Sequence, residues 1–141
     1  MLLVLDDTSS GRRSDTAVHL HRGLVAHGAE VRSVALAPGG DGALDEAVPV
    51  LAPAPRSLAA MLQLRREQRW ADLVVCAGDV AALLQRMTGP RRRASVQLVW
   101  SSPANAGVTG RTFRHTDPLD AATLSSEELA EQVLAAAEAA R

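Results

Sequence analysis

Apolar and polar positions along this chain fall into blocks whose period switches between that of a strand and that of a helix. Leu2-Leu3-Val4-Leu5 is an unbroken apolar run that meets the polar stretch Asp6-Asp7-Thr8-Ser9-Ser10-Gly11. From about Ser14 to His27 the apolar residues recur at helical spacing, and Gly28 stops them. Val31 to Leu36 is apolar again. Strand, polar loop, helix, glycine and strand make a βαβ unit. In open α/β sheets, ligands of such units sit at the carboxyl ends of the strands.

The same alternation continues downstream. Pro38-Gly39-Gly40-Asp41-Gly42 reads as a loop, and Val48-Pro49-Val50-Leu51 as a short strand whose proline suits an edge. A helix is predicted from about Ser57 to Gln68, with a basic last turn that complements its dipole. Asp72 to Cys76 is a strand suited to burial on both faces, and Gly78 and Asp79 open a helix through Met87. Asp79 is the expected N-cap and Gly89-Pro90 the stop. Val96 to Trp100 is the fifth strand, and Thr112 to His115 a short sixth. Ser125 with Glu128 is a capping box, and Leu124 with Leu129 has staple spacing, so the chain's last element is a helix. The pattern predicts one Rossmann-like domain over 1–141, an α/β fold of three α/β/α layers with a mostly parallel sheet. Its expected strand order is 3-2-1-4-5, extended by a sixth strand if Thr112–His115 pairs.

Composition narrows the chemistry. The formal charge of −1 gives no reason to expect nucleic acid or an anionic membrane. Trp70, Trp100 and Phe113 are the only aromatics, too few for a base-stacking platform. All 15 lysine-or-arginine positions are arginine, which excludes a P-loop lysine or a Schiff base. Cys76 is the single cysteine, so no disulfide forms within the chain and a reducing compartment is expected. No run approaches the roughly 20 apolar residues of a membrane span, and no basic leader precedes Leu2. A cytoplasmic location is the expectation.

Several segments together resemble the N-terminal half of GT-B glycosyltransferases, the large retaining family with many bacterial cell-envelope members. They are Leu2 to Asp7, the stretch Leu20-His21-Arg22-Gly23-Leu24-Val25-Ala26-His27-Gly28-Ala29-Glu30-Val31, and Ser57 to Arg66. Ala71 to Val75 and Gly78 to Leu84 continue the likeness. The resemblance implies an acceptor-binding domain whose nucleotide-sugar donor is held by a separate partner chain or domain, with a sugar or sugar phosphate as ligand. Where that family carries a Gly-Gly-Ala-Glu-like run, this chain has Gly11-Arg12-Arg13-Ser14. Val75 and Ala77 stand where a family histidine is usual, and Trp100-Ser101 where a His-Gly pair is. The alternative is a non-catalytic module of the same fold that binds a small ligand or a protein.

Candidate ligand-binding residues follow from strand ends. Asp7, Ser9, Ser10, Gly11 and Arg12 lie beyond the first strand, where backbone N–H groups at a helix start can take phosphate or carboxylate. Gly78 and Asp79 lie beyond the fourth strand, and Ser101 and Ser102, with Asn105, beyond the fifth. Asp6-Asp7 lacks the D-x-D spacing of metal-dependent phosphatases, and G-x-G-x-x-G is absent. His21 falls on the sheet-facing side of the first helix and reads as a satisfied, half-buried histidine. His19 and His27 face solvent without a second ligand at i+4, so no zinc site is expected. His115 is a strand-end residue or a base, and Arg91-Arg92-Arg93 a solvated loop. Cys76 is a core thiol unless the helix start at Gly78 lowers its pKa. No residue is assigned a catalytic or metal-binding role, and no cofactor is implied.

Overall fold

The computed structural model describes residues 1–44, 46–89, 94–100 and 116–140. These form a five-stranded parallel sheet of order β2-β1-β3-β4-β5. The strands are β1 (Leu2–Asp7), β2 (Arg32–Ala37), β3 (Leu73–Ala77), β4 (Ala94–Val99) and β5 (Thr116–Asp120). The helices among the described residues are α1 (Arg12–Ala26), α2 (Leu58–Glu67), α3 (Asp79–Thr88) and α4 (Ser126–Ala139).

Two cores flank the sheet, as the period of a strand demands. Leu3 and Leu5 of β1 face one way with Val75 of β3 and Leu98 of β4, against Leu20 and Leu24 of α1 and Leu129 and Val133 of α4. Leu2 and Val4 face the other way with Val34, Leu36, Val74 and Cys76, against Ala60 and Leu64 of α2 and Leu84 of α3. Strands β1, β2 and β3 therefore divide their side chains between two apolar layers, the mark of a parallel sheet covered on both faces. Helix α1 closes with Gly28 N–H donated to Val25 and Ala29 N–H to Leu24, at 2.9 and 3.1 Å, a Schellman arrangement. The Ser125–Glu128 capping box forms as expected, with Ser125 Oγ accepting from Glu128 and the Glu128 carboxylate accepting from Ser125.

The expected third strand is reduced to one isolated parallel bridge between Val50 and Ala35 at the β2 edge. Pro49 has no N–H to give, although its carbonyl accepts from Ala35 at 2.9 Å. With that bridge included, the order is the one expected from the sequence. The strand expected at Thr112–His115 lies outside the described residues, and the last strand runs instead over Thr116–Asp120. Among the described residues β5 is the sheet's edge, the position where a strand proline is accepted. Helix α1 begins at Arg12 rather than Ser14, and β4 at Ala94 rather than Val96.

The chain passes from β1 to β2 on one side, then returns to place β3 on the other. The carboxyl ends of β1 and β3 are thus a topological switch point, where the outgoing loops diverge and leave a crevice. None of the described helices is long and apolar enough to cross a membrane.

Candidate functional site

Two helices start at the switch point, and their first turns are treated differently. Beyond β3 the N-cap of α3 is Gly78, which has no side chain to offer, and Asp79 is the first helical residue. This corrects the expectation that Asp79 caps the helix. The cap comes from β1: Asp6 Oδ1 accepts the Ala81 N–H at 2.7 Å and Oδ2 the Val80 N–H at 3.4 Å. A carboxylate at a helix N-terminus satisfies orphan donors and opposes the positive end of the dipole. Glycine is needed at 78 for this, because a Cβ there would stand 2.3 Å from the Asp6 Cγ. Burial pushes the Asp6 carboxyl above its ordinary value, opposed by the Ala81 and Val80 hydrogen bonds and the Arg13 charge. Asp79 is exposed and accepts from Gln97 Nε2 at 3.4 Å.

Beyond β1 the loop is tied to itself and to the loop after β2. Ser9 N–H donates to Asp7 Oδ1 at 2.8 Å. Ser10 donates its N–H and its hydroxyl to Asp41, and Gly39 N–H donates to Thr8 Oγ1 at 2.8 Å. The Ser10 hydroxyl, with the Ser10 and Ala43 amides, holds the Asp41 carboxyl below its ordinary value. Ser14 Oγ donates to the Ser9 carbonyl. The amides of Ser9 and Ser10 are therefore already bound to carboxylates, unlike those of an open phosphate cradle.

Helix α1 itself starts without such a cap. Gly11, its N-cap, has φ +142° and makes no side-chain hydrogen bond to the first turn. That backbone conformation belongs to glycine. Arg12 turns away to donate to the Ala122 carbonyl at 3.1 Å. Arg13 stays at the crevice, with its guanidinium over the Trp100 ring at 5.5 Å. The Trp100 indole N–H is buried with no partner among the described residues.

Between these parts lies a cavity of about 100 Å³ lined by Leu5, Asp6, Asp7, Arg13, Ser14 and Ala77. Its polar groups are two carboxylates, a guanidinium and a hydroxyl. Of the residues expected from sequence, Asp7 lines it, while Ser9, Ser10 and Arg12 are engaged in hydrogen bonds around it. Gly11 and Gly78 start the two flanking helices, and Asp79 sits at the start of α3. Ser101, Ser102 and Asn105 lie outside the described residues, as do His115 and Arg91-Arg92-Arg93. Asp6, Arg13 and Ser14 were missed. The legible signal for Asp6 was an acid ending β1 opposite a glycine ending β3, and that for Arg13 was its place in the run after Gly11.

The other candidates are settled locally. Cys76 is buried in the α2/α3 core, where burial and then the Asp6 charge push its thiol far up, so it is no nucleophile. His21 Nδ1 lies 2.7 Å from Ser33 Oγ and is half-buried, as expected. His19 and His27 bond to backbone carbonyls of their own helix. Among the described residues, no cluster of His, Cys, Asp or Glu could hold a metal ion.

Fold and crevice together define a Rossmann-like parallel α/β domain with a polar cavity at its switch point. Comparison with protein-family models, curated proteins and solved structures returned no match.

Proposed function

We propose that this chain is the acceptor-side half of a glycosyltransferase-like site, binding a hydroxyl-rich ligand at the β1/α1 cavity while a partner chain or domain holds the sugar donor. The cavity of Asp6, Asp7, Arg13 and Ser14 is the observation that carries this reading. Carboxylates accept from sugar hydroxyls and the guanidinium donates to them, while the Ser14 oxygen, its proton given to the Ser9 carbonyl, is left to accept, so this set suits a polyol better than a phosphate. Two carboxylates repel a phosphate, and Asp6 already occupies the anion position at the start of α3. The size fits a half-site. About 100 Å³ accepts the edge of one ring, well below the roughly 300–1,000 Å³ of a complete small-molecule site.

Apolar side chains on the α2/α3 layer support a partner. Leu58 and Leu62, one helical turn apart on α2, are 67% and 58% exposed, and Met87 of α3 is 65% exposed. A solitary soluble surface has little use for such a set. The second reading, a non-catalytic binding module, is favoured by the engagement of Asp6 as a helix cap, which ties both of its oxygens to the α3 amides.

Isothermal titration against monosaccharides, sugar phosphates and nucleotide-sugars tests the proposal. Millimolar binding of a free sugar, lost in Arg13→Ala and absent for nucleotide-sugars, is the expected result. Micromolar binding of a nucleotide-sugar would mean that the chain holds its own donor site, and the half-site reading would fail. Copurification of a second chain that confers transfer separates the transferase from the bare module.

A further inference from the structure

A second cavity, larger and of different character, lies on the α1 face of the sheet. It has a volume of about 190 Å³ and opens beside β2. Its origin is legible in the connection after β2, where the chain reaches Val48 through a glycine-rich loop rather than through a helix. The α1 side of β2 is therefore roofed by Ala47 and Val48. Small residues widen the gap, with Ser33 on β2 and Ala17 on α1 both lining it. Leu3, Leu5 and Val18 make the remaining apolar wall.

Three polar residues line this cavity. His21 and Ser33 are hydrogen-bonded to each other at 2.7 Å, and Arg22, exposed, lines it as well. A cavity of about 150 Å³ with apolar walls accommodates a benzene molecule, so the space here suits a single ring or a short branched chain. An exposed cation and two hydrogen-bonding groups in its lining suit a carboxylate on that ring.

We propose that the α1/β2 cavity is a binding site for a small apolar carboxylate, an aryl or branched-chain acid, with its hydrocarbon against Leu3, Leu5 and Val48 and its carboxylate toward Arg22, His21 and Ser33. This site is separate from the carboxyl-end crevice, and stands or falls without it.

Benzoate is the probe, and toluene its neutral counterpart of the same shape. A methyl-resolved NMR titration of the full chain should move Leu3, Val18 and Val48 on adding benzoate, with saturation below about 10 mM. Arg22→Gln should weaken benzoate about tenfold and leave toluene unchanged. Ala47→Leu, at an exposed position that narrows the cavity, should weaken both. The absence of saturable shifts at these methyls, or unchanged affinity in Ala47→Leu, would overturn the site. Toluene binding as tightly as benzoate would overturn the anionic class of ligand.

Discussion

Helices α1 and α3 both begin at the switch point on a glycine N-cap that makes no side-chain hydrogen bond, and they end up with opposite chemistry. The first turn of α3 is closed by a carboxylate borrowed from the neighbouring strand, since Asp6 reaches Val80 and Ala81 across the sheet. Among the described residues the first turn of α1 has no such accepting carboxylate, and Arg13 and Ser14 from that turn line a cavity. Adjacent ends of one sheet thus divide the work. One end is fixed by an internal cap, and the other starts without one beside a polar cavity. A helix start in a Rossmann-like frame is therefore not by itself an anion site, because the strand next door can fill it first.

The largest way to disturb the contrast is Gly78→Ala. Its Cβ would meet the Asp6 carboxylate at 2.3 Å, so the cap must move away or the loop must shift. A loss of about 3 kcal/mol is expected in urea unfolding, the overpacking and the lost cap combined. Gly11→Ala meets no neighbour within 4 Å, yet its φ of +142° is strained for alanine. That substitution should cost about 1.5 kcal/mol from the backbone alone. Asp6→Ala should cost about 1 kcal/mol by leaving the α3 amides without their oxygen. Equal losses for the two glycine variants would erase the distinction between a steric and a conformational requirement.

Dependence on pH sharpens it further. Burial holds the Asp6 carboxyl above 3.8, so the unfolded chain releases that proton first. The stability contributed by this group is highest below 3.8 and falls as pH rises to the raised folded value, then stays level. Asp41 behaves in the opposite sense. Ser10 holds its carboxyl below 3.8, so its contribution is complete above that value and is lost as pH falls through the lowered one. Unfolding followed from about pH 2 to 7 in Asp6→Asn and Asp41→Asn should therefore give difference curves of opposite slope. The smallest effect on stability belongs to exposed Arg13. Arg13→Ala should change it by less than about 0.5 kcal/mol while abolishing sugar binding.

Much of the sheet was legible because β1 and β3 are buried on both faces and so read as short apolar runs, Leu2-Leu3-Val4-Leu5 and Leu73-Val74-Val75. β5 was not, because Thr116-Asp117-Pro118-Leu119-Asp120 has no apolar run and an edge strand needs none. The site was legible only as a location. The expected strand order already set β1 beside the strand that ends before Gly78, but it does not say that the Asp6 carboxylate turns onto the α3 amides. Nor could it show that Ser9 and Ser10 would be held by Asp7 and Asp41, since the Asp41 contact spans two loops.

The most direct test is an amide chemical-shift titration of the chain with free sugars, read at both helix starts. Saturable shifts at Asp7, Arg13 and Ser14, with Val80 and Ala81 unmoved, are expected if α1 is the open end and α3 the closed one. Shifts confined to Val80 and Ala81, or no saturable shift at any of these amides, would contradict that division.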